Sequence, residues 1–240
     1  MSVKAVSAAI LLAVFLPGCM LFHPSNQPAS PDFAYPGPDP EIKSSLESYR
    51  GKYMSQVGQK IATVHDTLRF DKPEGALNNY VADALRFRAA AETEQFVNVG
   101  VIGESSFRLY FTPGELNVED VLEFMPYDNH LVLLTMKGFD LERLIHQIAE
   151  VGGAPISGVR FSIGDDGRAR GILVNSEVIN PMRTYLVATS SWAAYGGDQF
   201  PALWSADERV DLPLLLKDLF IDYFRSESDL YNLTDGRIRR

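Results

Sequence analysis

Apolar positions along the chain alternate between two periods, and each stretch of constant period predicts one element. Ile42, Leu46, Tyr49, Tyr53, Val57 and Ile61 recur at spacings of three and four, which predicts an amphipathic helix. The segment from Ala62 to Phe70 then alternates as a strand. Leu77, Val81, Ala84 and Leu85 fall on one face of a second helix, and the run from Phe96 to Ile102 reads as a buried strand. A turn signal at Thr112-Pro113-Gly114-Glu115 precedes a short helix, Val118 to Leu122, with Asn117 as its N-cap; this helix breaks at Pro126. Leu131 to Met136 is apolar on both faces, the pattern of a central strand. Leu141, Leu144, Ile145 and Ile148 follow the i, i+3, i+4, i+7 rule of a helix packed by one stripe. Residues 158–163 and 171–175 predict a hairpin across Gly164-Asp165-Asp166-Gly167, and Tyr185 to Ala188 reads as a further buried strand. Leu212, Leu216, Phe220, Tyr223 and Phe224 mark a last helix, followed by a polar tail from Ser226. Helices and strands interleave, yet hairpins are present. The expected class is therefore α+β, a mixed β-sheet packed with helices.

Composition narrows the picture. The chain has 240 residues, 46% of them hydrophobic, and a formal charge of −9. That suffices for one sizeable core. The acidic balance argues against binding a nucleic-acid polymer, which needs many Lys and Arg on phosphates. One small anionic ligand is compatible with it, since a few arginines suffice. The N-terminus changes the picture more. Lys4 precedes a short apolar run, Ala8 to Leu16, which ends Leu16-Pro17-Gly18-Cys19. This is a signal-peptide h-region, too short to span a bilayer comfortably. It resembles a bacterial lipoprotein signal in which Cys19, the single cysteine of the chain, carries the lipid. Met20 at the next position implies sorting to the outer membrane. Six prolines between Met20 and Pro40 predict a semi-extended spacer. The expected organisation is a signal peptide over 1–18, a tether over 19–40, a globular domain over 41–225 and a polar tail over 226–240.

Candidate chemistry gathers in three places. Thr189 to Pro201 holds Trp192, the Gly196-Gly197 pair and Asp198, so that a flat ring, a glycine turn and an acceptor-only carboxylate lie within seven residues. These could hold a planar base and its sugar, or they could be a strand end with a core Trp and a tight turn. The loop Gly103-Glu104-Ser105-Ser106-Phe107-Arg108 offers backbone N–H groups and a guanidinium to an anion; Arg108 is otherwise a surface ion-pair residue. Tyr127 either stacks on a ligand or fills the core, and Asn129 either reads a polar edge or caps its turn. The four histidines, His23, His65, His130 and His146, form no metal-ligand pattern, and no Gly-x-Ser-x-Gly elbow is present.

In order along the chain stand Leu77-Asn78-Asn79-Tyr80-Val81-Ala82-Asp83-Ala84-Leu85-Arg86, Ile102-Gly103 with Arg108, Gly114-Glu115, Pro126-Tyr127-Asp128-Asn129, Met136-Lys137-Gly138, Ser157-Gly158-Val159-Arg160-Phe161, and Trp192 with Gly196-Gly197-Asp198. From about Ile61 to Leu203 this series resembles the C-terminal domain of bacterial 5′-nucleotidases and UDP-sugar hydrolases. The resemblance implies a nucleoside-binding domain in which two aromatic rings, at the positions of Tyr127 and Trp192, sandwich the base. It implies base and ribose contacts from Asn129, a ribose contact from Asp198, a pocket glycine at Gly152 or Gly153, of which Gly152 is preferred, and a phosphate contact from Arg108. Two further phosphate arginines of the family have no match in register; Arg69 and Lys72 lie near their positions. The family's glycine-rich loop is Glu104-Ser105-Ser106-Phe107 here.

In that family a metallophosphatase domain with a two-metal site performs the hydrolysis. No such ligand set appears in these 240 residues. The expectation is a lipid-anchored nucleoside- or nucleotide-binding domain with no catalytic residue and no cofactor of its own. A separately encoded metallophosphatase would complete it and carry the divalent metals. The competing expectations are a nucleoside receptor without enzymatic activity and a structural envelope lipoprotein.

Overall fold

A computed structural model describes residues 39–108 and 110–240 of the chain. The signal, Cys19 and the tether up to Pro38 lie outside the described residues. The chain divides into two compact units at Ser48/Tyr49. The elements, in order, are α1 (Pro40–Val57), β1 (Lys60–Val64), α2 (Ala76–Thr93), β2 (Val99–Val101), β3 (Gly114–Asn117), α3 (Val118–Phe124), β4 (His130–Lys137), α4 (Gly138–Glu150), β5 (Ile156–Ser157), β6 (Val159–Ile163), β7 (Ala169–Val174), β8 (Glu177–Val178), β9 (Thr184–Ser190), α5 (Ser191–Ala194), β10 (Glu208–Leu215), α6 (Leu216–Glu227), β11 (Asp229–Leu230) and β12 (Ile238–Arg239). Among the described residues no helix is long and apolar enough to cross a membrane.

A five-stranded mixed sheet, ordered β10-β4-β9-β2-β5, organises the second unit. β4 is an inner strand, antiparallel to both β9 and β10. Its unbroken apolar run is explained by two cores, one on each face. Leu131 and Leu133 point to a core shared with α2, α3 and α6; Val132, Leu134 and Met136 point to one shared with α4 and the β6–β7 hairpin. Side chains alternate across a strand, so a strand covered on both faces reads as continuously apolar. Each of these fully buried Leu and Met side chains stabilises the fold by about 1.5–3 kcal/mol of transfer free energy. Two smaller sheets flank the main one, β11-β1-β3 and β12-β6-β7-β8.

Helix boundaries follow local chemistry. At the start of α3 the Asp120 carboxylate accepts the Asn117 N–H at 2.7 Å, one half of a capping box. α4 buries Leu141, Leu144, Ile145 and Ile148, the stripe its spacing predicts. α1 forms over Pro40–Val57, short of the predicted span, since Ile61 belongs to β1; its stripe residues Ile42, Leu46, Tyr49 and Tyr53 are exposed, whereas Val57 and Ile61 are buried.

Three sequence expectations need correction. The strand expected over 62–70 ends at Val64, because its partners β11 and β3 end there; beyond it only Leu68 bridges to Phe111. The buried strand expected over 96–102 is confined to Val99–Val101, and Phe96 is exposed. The last helix begins at Leu216, and Leu212 sits instead on the edge strand β10. Pro213 argues against a strand, but β10 pairs on one side only and shifts register between Asp211 and Leu215, the setting in which a strand tolerates proline. The polar tail is also packed: β11 pairs with β1, β12 with β6, and Leu230, Arg237 and Ile238 are buried.

Candidate functional site

Register places the site. In the β4–β9 ladder Leu131 faces Ser190. Two positions further out on each strand stand Asn129 and Trp192, so the aromatic ring and the amide meet at one sheet end. β2 runs parallel to β9 with Gly100 opposite Ala188, which brings the loop after β2 to the same end. Three segments remote in sequence, 103–108, 126–129 and 190–199, therefore converge.

The first result of this convergence is a cavity of about 360 Å³ lined by Ser105, Ser106, Arg108, Tyr127, Asn129 and Trp192. Tyr127 and Trp192 are 38% and 53% exposed, so the rings are not spent on the core. The Arg108 guanidinium lies 4.8 Å from the centroid of the Tyr127 ring, a cation–π contact that holds the tyrosine. The Ser191 hydroxyl accepts the His130 N–H at 3.0 Å and donates to Asn129 Oδ1 at 3.4 Å. That bond directs the Asn129 amide and leaves its NH₂ as a donor. Ser106 is buried, and its Oγ has no hydrogen-bond partner among the described residues.

A second cavity of about 470 Å³ adjoins the first through Ser105 and Trp192, and includes Lys72, Glu104, Gly153 and Asp198 in its wall. Asp198 takes a left-handed backbone conformation, φ 61°. Its carboxylate accepts the Gly103 N–H at 3.0 Å and the Ser105 hydroxyl. A side chain at Gly103 would collide with that carboxylate, which is the packing reason for glycine there. Burial raises the Asp198 pKa above the ordinary carboxylate value, against the lowering effect of these two hydrogen bonds. Burial also raises Glu104, with Lys72 opposing. Lys72 Nζ donates to the Val151 carbonyl at 2.6 Å.

The Gly196-Gly197 turn has a further role. A Cβ on Gly197 would lie 2.1 Å from the Trp192 ring, and one on Gly196 would lie 2.5 Å from the Trp204 ring. The two tryptophans of the chain thus pack against adjacent glycines of one turn. Trp204 braces the turn on which Trp192 rests, and sequence reading did not single it out.

The structure brings Arg108, Tyr127, Asn129 and Trp192 to one cavity and Asp198 to its neighbour. Of the two glycines that the register left open, Gly153 lines the cleft, whereas Gly152 faces the side chains of Arg240 and Lys72. Ser105, Ser106 and Trp204 were missed. Nothing in a polar loop with two serines signals that one of them, Ser106, is buried, and Trp204 acts only through the turn. Among the described residues no group of three or more His, Cys, Asp or Glu is placed to hold a metal.

A family model described as 5′-nucleotidase, C-terminal domain, matches residues 57–205. Protein UshA of Yersinia enterocolitica is 23% identical over 80% of this chain and 36% of its own length, and the trifunctional nucleotide phosphoesterase protein YfkN of Bacillus subtilis is 22% identical over 84% and 15%. The chain thus spans about a third of the length of the first of these relatives. Among solved structures, a 5′-nucleotidase precursor from Thermus thermophilus superposes with a TM-score of 0.67 at 23% identity, covering 83% of this chain and 43% of that one. The Haemophilus influenzae NAD nucleotidase gives 0.59 at 18% identity, over 84% and 41%. These likenesses show the fold.

Proposed function

The chain belongs to the 5′-nucleotidase C-terminal domain family, and from that premise we propose that it binds a nucleoside, with the base lying between the Tyr127 and Trp192 rings. The observation that carries this reading is the pair of exposed aromatic rings on one cavity, together with the free amide donor of Asn129. Stacking of a base on an aromatic face contributes about 1–3 kcal/mol and tolerates any base. Asp198 stands in the adjoining wall, where a carboxylate can accept from ribose hydroxyls. Arg108 faces the same space and is the cation available to a phosphate. Its relatives are named as nucleotide phosphoesterases and 5′-nucleotidases, which supports a nucleotide-related substrate. In this reading the chain is the substrate-holding part of a nucleotide hydrolase. A separate metallophosphatase carries the divalent metals, and the chain itself supplies no catalytic residue. The Leu16-Pro17-Gly18-Cys19 signal supports lipid anchoring in the cell envelope, on the periplasmic face of the outer membrane.

One observation favours a receptor that takes nucleosides rather than nucleotides. Glu104 stands half-buried in the wall of the adjoining cavity and, with Asp198, gives that wall two carboxylates, while the Lys72 ammonium is engaged by Val151. Calorimetric titration of the purified protein with adenosine, uridine and AMP separates the readings. Heat with nucleosides and AMP alike fits the substrate-holding part; heat with nucleosides only fits the receptor; no heat with any of them removes the proposal.

A further inference from the structure

A third cavity, which shares no lining residue with the other two, lies where α2, the β5–β6 turn and the C-terminal tail meet. It has a volume of about 220 Å³, and Arg86, Ser157, Arg160, Asn175, Ser176 and Arg237 contribute to its wall. Three guanidiniums meet two carboxylates there, Asp83 and Asp235, so the wall carries one positive charge in excess.

The hydrogen bonds show where that excess resides. Arg237 is saturated: Nε donates to Asp235, and Nη1 and Nη2 donate to Asp83, Asp235 and the Ile156 carbonyl, at 2.9–3.1 Å. Arg160 Nη1 donates to the Asp235 carbonyl at 2.8 Å, and its Nη2 lies 3.4 Å from the Asp235 carboxylate. Arg86 differs. Its Nε donates to Ser157 Oγ at 2.7 Å, and Ser157 donates onward to Asp83. Neither Nη of Arg86 has a hydrogen-bond partner among the described residues. Its guanidinium carbon sits 4.5 Å from the centroid of the Phe87 ring, which fixes the plane of the fork. Burial lowers the Arg86 pKa, Asp83 opposes this, and Arg237 adds to it.

We propose that this cavity is a binding site for the carboxylate of a small molecule, held by the two Nη groups of Arg86. A planar guanidinium matches a carboxylate through two parallel N–H···O bonds. A single excess positive charge suits a monoanion better than a phosphate dianion. The left-handed turn at Asn175 and Ser176, φ 50° and 68°, presents polar side chains at the mouth. This site is independent of the nucleoside reading.

The test is an NMR titration of the full chain with sodium acetate against sodium chloride at equal ionic strength, following the Arg86 Nε–H and the Ser157, Asn175 and Ser176 amides. Acetate is expected to produce saturable shifts confined to these groups. Arg86→Gln is expected to weaken the effect by about ten-fold or more. Ser176→Glu, which places a carboxylate of the chain at the mouth of an exposed turn, is expected to weaken it without unfolding the protein. Arg225→Gln, on α6 and outside the cavity wall, should leave it unchanged. Shifts that match those of chloride, or equal affinity in wild type and both cavity variants, would overturn the site. Tighter saturation by inorganic phosphate than by acetate would overturn the carboxylate assignment.

Discussion

The aromatic cleft and the Arg237 cluster are both built from residues far apart in the chain, yet they are finished in opposite ways. Around Arg237 every donor of a nearly buried guanidinium is satisfied by the protein itself. Burial works against that charge, but the bonds to Asp83 and Asp235 outweigh it and hold the pKa above its ordinary value. In the cleft, two large rings stay exposed, the Ser106 hydroxyl is unpartnered and the Asn129 amide keeps a free donor. A cluster that satisfies itself stabilises a fold. A cleft that leaves flat apolar surface and polar groups unmatched is suited to something that comes and goes.

The largest effect that would break this contrast is on the structural side. Arg237→Ala removes the ion pair of the largely buried Asp83, which keeps only the Ser157 hydroxyl and the nearby Arg86 charge, and should cost about 3 kcal/mol of stability, read by thermal or urea unfolding. If that variant unfolds like wild type, the cluster is not a clasp. Next comes Trp192→Ala, which should weaken adenosine binding by about 1–3 kcal/mol, roughly 5- to 150-fold, with little change in melting temperature. A large stability loss without a binding loss would reassign Trp192 to packing. Trp204→Ala should reduce adenosine affinity by roughly 0.5–1 kcal/mol, in the range of coupling between residues in contact, by loosening the turn under Trp192. Combining it with Trp192→Ala should add nothing further to the binding loss.

The smallest effect concerns pH. Asp198 has a folded pKa raised above its unfolded value, so its contribution to stability is complete below the unfolded value and is lost as pH rises through the folded one. Asp198→Asn keeps an acceptor for Gly103 and removes that titration. Melting temperatures of wild type should therefore fall relative to the variant across this window as pH rises. Parallel curves would mean that the carboxylate is not held in the buried setting described for it.

Much of this was legible in the sequence, for physical reasons. β4 could be placed in the middle of a sheet because an uninterrupted apolar run needs cover on both faces. α4 was legible because its stripe keeps one period over thirteen residues. Arg108, Tyr127, Asn129 and Trp192 were singled out through ordered motifs, and the β4–β9 register explains why Asn129 and Trp192 end up together. What escaped reading depends on partners distant in sequence. Arg237 looks like one more residue of a polar tail until Asp83 and Asp235 close around it. β10 carries a proline that is tolerated only because the strand lies at the sheet edge. Ser106 becomes informative only once burial isolates its hydroxyl.

The most direct measurement uses a Trp204→Phe protein, in which Trp192 is the single remaining tryptophan, titrated with adenosine while the indole emission is followed. Stacking of the base on Trp192 should change the emission saturably, and the same titration in a Tyr127→Ala background should require more adenosine. An emission that stays flat while calorimetry registers adenosine binding would place the nucleoside elsewhere and contradict the pairing of Tyr127 with Trp192.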